Sequence, residues 1–337
     1  MHDNSGGGAL LPSAHGLAEY GRLESRNIDH VVFGEHVFET WYGNSAYFQN
    51  QGDDKLGIDQ DALSRRRGVL PVKPGIWLSH LYVCDACFKY TSNKDMMAAH
   101  RHVCVMKKRF PPVGKLVYYE KKAPYLIKKV RGFRHRLFCQ NLALFGKLFL
   151  DDKLVFYNVE AFDFYVLYGL ENGPHSKENF RPMGFFSKEV NSYESDNNLA
   201  CICIFPPFQR RGLGSLLIEF SYALARVTPG QLHLGPEFPL LPFGKKLYFR
   251  FWARRLAFIV MNEYKGESFV TLKALAEKTG FRKEDVLMAL EYMGVLQRGT
   301  GKAEATLLVL NIREWCANSG VDWRVLGTML DQECLLI

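Results

Sequence analysis

The 337-residue sequence predicts an α/β fold built from three successive regions. The fully apolar run LACICIF (199–205) is typical of a buried central strand, and a glycine-containing neck joins it to an apolar helix. Closely spaced cysteines interrupt a β-like N-terminal part, whereas residues 271–311 follow the order helix, turn, helix, strand. These observations predict a β-rich N-terminal region, an α/β core and a winged-helix-like C-terminal region.

The boundaries between these regions follow changes in composition along the chain. Residues 1–27 contain glycine, serine and histidine and are weakly apolar, so we predict a disordered tail. Residues 28–136 hold short alternating strands, the cysteine segment and a basic stretch, and they form the predicted N-terminal region. The chain then becomes more apolar, so residues 137–262 are predicted as the core and residues 263–337 as the C-terminal region.

Composition excludes several classes of protein. The start MHDNSGGG lacks the pattern of a secretory signal, and no uncharged apolar run approaches the ~18 residues of a membrane span. We therefore expect a soluble intracellular protein without a membrane partner. Eight cysteines in a chain of this length are expected to be thiols or metal ligands rather than a disulfide framework.

The positive charge of the chain is concentrated in one stretch. Residues 101–136 hold twelve lysines or arginines and a single acid, Glu120, although the whole chain carries only +8. Such a stretch suits contact with DNA or another polyanion. The alternative is a solvated surface without a partner, since charge runs are often simply surface.

Four side chains have the spacing of a zinc finger, over residues 84–104. Cys84 and Cys87 form a Cys-x-x-Cys turn, and His100 and Cys104 follow twelve residues later at helical spacing. A helical pair four positions apart faces one direction and completes a tetrahedron. Because four protein ligands leave no position open for water, the predicted Zn²⁺ is structural. The finger can bind DNA or stabilise its own domain, and the alternative without metal is a set of reduced core side chains.

The neck FPPFQRRGLGS (205–215) has the composition of an anion-binding helix start. Gly212 and Gly214 let the backbone approach a ligand, and the first N–H groups of a helix have no partner within the helix. The helix dipole and the side chains of Arg210 and Arg211 add positive charge. Together these features predict a diphosphate site, although Gly-x-Gly alone is also typical of a plain strand–turn–helix junction.

Several long motifs, in the same order, resemble the MYST histone acetyltransferases. They are ETWYGNSAYF, LYVCDACFKYT, LFCQNLALFGKLFLDDKLVFYNVEAFDFYVL, MGFFSKE, NNLACICIFPPFQRRGLGSLLIEFSYAL and GPEFPL, and they span about residues 28–320. The resemblance implies a GNAT-like acetyltransferase core that uses acetyl-CoA, between the zinc-bearing region and the helix-turn-helix-like region. It also implies a nuclear, chromatin-associated enzyme that acetylates the histone H4 tail at the lysine in its sixteenth position, with a role in chromatin silencing and its boundaries. Expected partners are the nucleosome and accessory subunits of a SAS-like acetyltransferase complex.

The resemblance also implies roles for individual residues. Glu237 is the implied general base, because the substrate ammonium has a pKa near ~10.4 and is not a nucleophile. Cys201 is implied beside the thioester, as a nucleophile or as a packing residue, and Lys153 as an autoacetylated lysine. The residues expected to bind acetyl-CoA, mostly through their backbone, are Cys201, Ile202, Cys203, Gln209, Arg210, Arg211, Gly212, Leu213, Gly214 and Ser215.

Departures from the family pattern and two other functions also bear on this interpretation. Leu241 and Leu247 stand where the family often has serines that touch the cofactor, which puts side-chain contacts there in question. Pro207 stands where many relatives have glutamine. One alternative is a catalytically inert zinc and winged-helix subunit that binds nucleosomes or DNA. Glu237 and the intact QRRGLG sequence favour the enzyme over that subunit. The other alternative, an acetyltransferase for a small amine, leaves the zinc motif and the basic stretch unexplained.

Overall fold

The computed structural model describes most of the chain between residues 22 and 337. The described ranges are 22–23, 26–48, 58–59, 76–122, 125–150, 158–170, 179–190, 197–228, 234–264, 266–267, 270–298, 305–307 and 309–337. The predicted disordered tail lies almost entirely outside these ranges.

The chain forms two compact units. The N-terminal unit comprises residues up to 108 together with 137–158, and the core unit comprises residues 109–136 and 159–337. Two segments therefore lie on the other side of the boundary predicted at residue 136. Residues 109–136 belong to the core unit, because their strands pair within its central sheet, and residues 137–158 belong to the N-terminal unit. The other predicted boundaries, after residues 27 and 262, stay predictions.

The N-terminal unit contains a small mixed sheet and two helices. Strands β2, β3, β5 and β6 form the sheet in the order β3-β2-β6-β5, with β7 paired to β6 and β1 paired to β4. Their bounds are β1 Arg22–Leu23, β2 Ile28–Phe33, β3 His36–Glu39, β4 Gly43–Asn44, β5 Ile58–Asp59, β6 Ile76–Val83 and β7 Tyr90–Thr91, and the helices are α1 Lys94–Val103 and α2 Arg136–Gly146. The short strands predicted from residue 28 onwards are confirmed, and Gly34 forms the turn between β2 and β3 with a φ of 66°.

The core unit is built on a five-stranded antiparallel sheet in the order β13-β11-β10-β9-β8. Beside this sheet, β12 pairs in parallel with β14. The bounds are β8 Lys115–Glu120, β9 Tyr125–Arg131, β10 Phe162–Leu170, β11 Phe180–Glu189, β12 Asn197–Leu199, β13 Cys201–Ile204 and β14 Gly235–Pro236. The core unit is therefore a mixed α/β structure with a largely antiparallel sheet.

The prediction that LACICIF forms a central strand is wrong. The run is divided between β12 and β13 at Ala200, whose N–H donates to the Ser187 carbonyl, and β13 is an edge strand. Its apolar character has another cause: helix α3 (Leu213–Val227) packs against it, and Cys201, Cys203 and Phe205 are all buried. A strand at the edge of a sheet can thus have the composition of an inner strand when a helix covers it.

The apolar helix predicted after the neck is confirmed as α3. Its apolar stripe consists of five buried residues at helical spacing: Leu213, Leu216, Leu217, Phe220 and Leu224. Ile218 and Tyr222 are buried as well, because the longer helix α4 (Pro242–Glu263) covers a second side of α3. The indole N–H of Trp252 on α4 donates to the Tyr222 hydroxyl at 2.9 Å. Among the described residues, we find no helix with the length and apolar character needed to cross a bilayer.

The C-terminal region has the predicted helix-turn-helix order. Helices α5 (Leu272–Thr279) and α6 (Lys283–Met293) flank a turn at Gly280, and the Thr271 hydroxyl caps α5 by accepting from the Ala274 N–H. Strands β15 (Leu296–Arg298) and β16 (Ala305–Leu307) pair as a wing. The strand predicted at the end of residues 271–311 is shorter than expected, because helix α7 (Val309–Ser319) begins at Val309.

Candidate active site and metal centre

The four predicted zinc ligands converge in the N-terminal unit. The ligand atoms of Cys84, Cys87, His100 and Cys104 all lie within 4.8 Å of one another. The sulfur atoms of Cys84 and Cys104 are 3.9 Å apart, and His100 Nε2 is 3.3 Å from the Cys87 sulfur. Two sulfurs bound at about 2.3 Å to a tetrahedral zinc ion lie about 3.8 Å apart. The donor set and its spacing therefore fit Zn²⁺.

Local backbone geometry holds these ligands in place. The Cys84 N–H donates to the Lys89 carbonyl at 2.8 Å, and the Phe88 N–H donates to the Cys84 carbonyl at 2.9 Å. Phe88 has a left-handed φ of 61°, and its buried ring packs on Phe33, which opposes the cost of that conformation. Asn93 caps helix α1, which carries His100. The hydrogen bond between the two thiols lowers the pKa of Cys84 and raises that of Cys87, because one sulfur donates to the other.

In the core unit, the neck between β13 and α3 turns sharply after the strand. Strand β13 ends at Ile204, and residues Pro206–Phe208 form a 3-10 turn, since two prolines cannot donate to a neighbouring strand. The Gln209 side chain donates to the Ile204 carbonyl at 2.8 Å. The strand end and the helix start are thereby held close together.

The start of α3 presents an open, positively charged backbone. Gly212 is the residue before the helix and has a left-handed φ of 78°, without any side-chain cap for the first N–H groups. Arg210 also has a left-handed φ, of 62°, and non-glycine residues in this conformation cluster at functional sites. Arg210, Arg211 and Gly212 are all exposed. The arrangement suits an anion such as a diphosphate.

Replacing Gly212 with alanine is expected to weaken acetyl-CoA binding by about tenfold or more, or about 1.4 kcal/mol. The alanine would occupy a left-handed conformation that costs about 1–2 kcal/mol, and its Cβ would lie 2.2 Å from the Met329 sulfur. Isothermal titration with acetyl-CoA measures the affinity, and thermal unfolding measures the cost to the fold.

Gly294→Ala is the matched control for this substitution. Gly294 has a comparable φ of 66°, with nothing within 4 Å of an added Cβ. Both variants are expected to lower the unfolding temperature, whereas only Gly212→Ala weakens acetyl-CoA binding. Equal affinities in the two variants would contradict a ligand at the start of α3.

Strand β13 brings two cysteines to one buried face. Cys201 and Cys203 are both buried, and the Cys201 N–H donates to the Ser187 hydroxyl at 3.3 Å. Burial raises the pKa of the Cys203 thiol well above its ordinary range, so this side chain is a neutral core residue. Ser187, which the sequence did not single out, thus fixes the backbone at Cys201.

Glu237 lies on a short loop, residues 234–240, which we call the glutamate loop. Its N–H donates to the Leu199 carbonyl at 2.8 Å, and β14 within the loop pairs with β12. Leu199 is two residues before Cys201, so the half-buried Glu237 is held next to the strand that leads into β13. The structure therefore brings Glu237, Cys201 and the neck to neighbouring elements of one unit.

Nothing in the sequence indicated one contact of α3, the bond between Glu219 and the C-terminal segment. The Glu219 carboxylate accepts from the Met329 and Leu330 N–H groups at 2.9 and 2.8 Å, which holds the C-terminal segment against the helix. Leu247 lies against Gly214, where an added Cβ would be 2.9 Å from the leucine side chain. Lys153 lies outside the described residues.

The basic stretch is partly occupied by internal contacts. Lys129 forms an ion pair with Asp163 at 2.6 Å, and Arg136 pairs with Glu160 at 3.3 Å. Lys128 donates to the Pro111 carbonyl. The remaining exposed basic residues are Lys107, Lys108, Arg109, Lys115, Lys121, Lys122, Arg131 and Arg134. The surface predicted to contact a polyanion thus includes fewer basic side chains than the charge of residues 101–136 indicates.

The edge strand β13 leads into a helix start with exposed N–H groups, and a carboxylate lies on an adjacent loop, an arrangement that suits an enzyme with an anionic cosubstrate. The comparisons with known proteins define the class of this enzyme, a histone lysine acetyltransferase. The chain matches the MOZ/SAS family over residues 111–332, well over half of its length. The protein therefore belongs to the MOZ/SAS family, which confirms the family, the fold class and the enzyme class that the sequence predicted.

Three curated relatives indicate how the similarity is distributed. Histone acetyltransferase SAS2 of Saccharomyces cerevisiae is 41% identical over 82% of this chain and 77% of its own length. Histone acetyltransferase MOF of Drosophila melanogaster is 33% identical, over 82% of this chain and 28% of its own. Histone acetyltransferase mst2 of Schizosaccharomyces pombe is 35% identical, over 65% of this chain and 50% of its own. The chain thus spans at most half of two of these three relatives.

Proposed function

We propose that this protein transfers an acetyl group from acetyl-CoA to the histone H4 tail, at the lysine in its sixteenth position. One observation carries the chemical part of the proposal: Glu237 is bonded to β12 immediately before β13 and the open start of α3. A base and an anion site on adjacent elements are what acyl transfer to a lysine requires.

Glu237 acts as the general base in this proposal. The substrate ammonium must lose a proton before its nitrogen can attack, and the Glu237 carboxylate accepts that proton. The neutral amine then attacks the thioester carbonyl carbon, and the carbon–sulfur bond breaks. The CoA thiolate leaves and takes up the proton that the new amide nitrogen loses. The base stands on a loop tied to β12 by backbone hydrogen bonds, which supports a fixed distance to the reacting amine.

Acetyl-CoA binds along β13 and the neck in this proposal. The pantetheine end contacts the backbone of Cys201–Cys203, and the pyrophosphate contacts the N–H groups of Gln209–Ser215. The exposed Arg210 and Arg211 add positive charge beside that helix start. Cys201 has a supporting role, because it is a buried side chain on the same face as the neutral Cys203. The structural Zn²⁺ is held by Cys84, Cys87, His100 and Cys104 and stabilises the N-terminal unit.

The biological setting is proposed from the relatives. Curated relatives are named histone acetyltransferases, and SAS2 is 41% identical to this chain. We infer a nuclear, chromatin-associated enzyme with a role in silencing and its boundaries, working with accessory subunits of a SAS-like complex. The exposed basic residues between 107 and 134 support additional contact with nucleosomal DNA.

The alternative of an inert DNA-binding subunit is less well supported. In many helix-turn-helix proteins the second helix enters the DNA major groove. Here helix α6 begins with Lys283, Glu284 and Asp285, and Asp285 is fully buried. The exposed charges of Lys283 and Glu284 cancel, and Asp285 is paired with Arg282, so the start of this helix offers no net positive charge to phosphates. This balance favours an enzyme over a DNA-reading subunit.

A peptide assay tests the proposed substrate. The protein, alone and with purified accessory subunits, is incubated with labelled acetyl-CoA and the H4 tail peptide, and mass spectrometry locates the acetyl group. We expect transfer to the lysine at the sixteenth position, and loss of most label when arginine replaces that lysine. Label on other lysines with the arginine peptide unaffected would reject the proposed site.

A further inference from the structure

Arg282, the residue before helix α6, contacts both chain neighbours of Glu237. Its Nη2 donates to the Pro236 carbonyl at 2.9 Å. The guanidinium also lies over the Phe238 ring, 5.2 Å from the ring centroid. These contacts join the helix-turn-helix region to the glutamate loop immediately before and immediately after Glu237.

Asp285 holds the guanidinium in this orientation. The carboxylate of Asp285 accepts from Arg282 Nε at 2.9 Å and from Nη2 at 3.1 Å, a two-bond geometry that fixes the guanidinium plane. The Arg282 side chain is 16% exposed and that of Asp285 is 0% exposed. A buried ion pair of this kind is disrupted at high cost when one partner is removed.

The glutamate loop is shaped to fit this pair. A Cβ added to Gly235 would lie 2.2 Å from Asp285 Oδ2 and 2.4 Å from Arg282 Nη2, so only glycine leaves room there. Arg282 Nη1 also lies 3.5 Å from Asn197 Oδ1 on β12, the strand that pairs with the loop. The guanidinium therefore contacts both β12 and the loop that carries the base.

The turn that carries Arg282 is itself firmly packed. Phe281 is buried against Tyr222 of α3, with ring centroids 4.8 Å apart. The Phe281 N–H donates to the Thr279 hydroxyl at 3.2 Å, and Arg226 of α3 donates to the Thr279 carbonyl at 2.6 Å. Arg282 thus projects from a fixed point on the core of the unit.

We propose that the Arg282–Asp285 pair positions the general base by fixing the glutamate loop on both sides of Glu237. The inference rests on the proposed role of Glu237 as the base. Arg282 is a positioning residue, since it acts through Pro236 and Phe238 and takes no proton itself. The C-terminal region thereby contributes to catalysis in this enzyme.

Arg282→Lys is the central test, because lysine keeps the charge but not the planar, multi-bond geometry. We expect kcat for lysine acetylation to fall by about 10²-fold, since a base displaced by about 1 Å loses that much. The KM for acetyl-CoA should stay close to wild type, whereas the unfolding temperature should fall, because lysine cannot keep the buried two-bond pair with Asp285. Arg324→Lys is the matched control, because Arg324 forms the same two-bond pair with Asp322 on the surface.

A double variant separates positioning from general damage. In the Glu237→Gln background, Arg282→Lys should cause no further loss of kcat, because the group that it positions is already absent. If the losses of kcat caused by the two substitutions multiply in the double variant, the inference is overturned. A wild-type kcat in Arg282→Lys, with Glu237→Gln inactive, would overturn the inference alone. A fully active Glu237→Gln would overturn both the proposed base and the inference.

Phe238→Leu keeps the inference testable if Arg282→Lys does not fold. Phe238 is 44% exposed, so its replacement is tolerated by the core. Loss of the cation–π contact should lower kcat by about 2–5-fold without changing the KM for acetyl-CoA. An unchanged kcat in this variant would contradict a role for the guanidinium contact.

Discussion

Glu237→Gln is expected to lower kcat for lysine acetylation by about 10²–10⁴-fold at neutral pH. Glutamine has nearly the same shape and keeps the backbone N–H bond to the Leu199 carbonyl, so the loop is expected to stay in place. The substitution removes only the proposed proton acceptor. The KM for acetyl-CoA and the unfolding temperature are therefore expected to change little. Steady-state kinetics with an H4 tail peptide measure the change in kcat separately from the change in KM.

The pH dependence of this variant provides a second readout. Without a base, the reaction depends on the fraction of substrate lysine that is already neutral, and this fraction rises as pH approaches the lysine pKa of ~10.4. The residual rate of Glu237→Gln should thus rise with pH over a range where the wild-type rate has levelled. Glu314→Gln, an exposed acid on α7, is the control. A wild-type rate in Glu237→Gln at neutral pH would reject the base assignment.

Much of the fold and of the metal centre could be predicted from sequence patterns that span only a few residues. The ligand spacing from Cys84 to Cys104 depends only on one turn and one helix, and both are short-range structures that sequence specifies. Helix α3 was also predictable, because its apolar stripe begins immediately after Gly212. The helix-turn-helix order was predictable as well, because a capping residue, Thr271, and a helix-ending glycine, Gly280, mark the two ends of α5.

Contacts between distant parts of the chain were not predictable in this way. Arg282 meets Pro236 across 46 positions of sequence, and Met329 meets Glu219 across 110. The pattern around Arg282 is that of an ordinary helix start, so its role is visible only when the glutamate loop is placed beside it. Strand β13 was assigned to the sheet centre for a related reason, since apolar composition reports burial and not pairing.

These contacts suggest a different role for the winged-helix-like region. In sequence, residues 271–311 suggest a DNA-binding module. In the structure, the turn between α5 and α6 faces the glutamate loop through Arg282, and Phe281 packs on α3. The segment of a helix-turn-helix that often contacts DNA is here used to support the proposed active site.

Removal of zinc is expected to unfold the N-terminal unit. The four ligands join the turn after β6 to helix α1, and Phe88 within that turn packs against Phe33 and Phe145. Structural zinc contributes about 10–16 kcal/mol of binding free energy at pH 7, which exceeds the whole stability of many domains. Loss of the metal should therefore abolish amide protection in residues 76–108 in hydrogen exchange, both after treatment with a chelator and in Cys84→Ala.

The cysteine control determines whether metal or core packing is responsible for this loss. Cys139→Ala removes a thiol that is equally buried in the same unit but lies outside the ligand group. Metal analysis should give about one zinc per chain for wild type and Cys139→Ala, and almost none for Cys84→Ala, because three remaining ligands hold a structural ion poorly. If Cys84→Ala unfolds and Cys139→Ala does not, zinc is responsible for the stability of the N-terminal unit. Equal zinc contents in all three proteins, or full protection after chelation, would show that the aromatic core suffices without the metal.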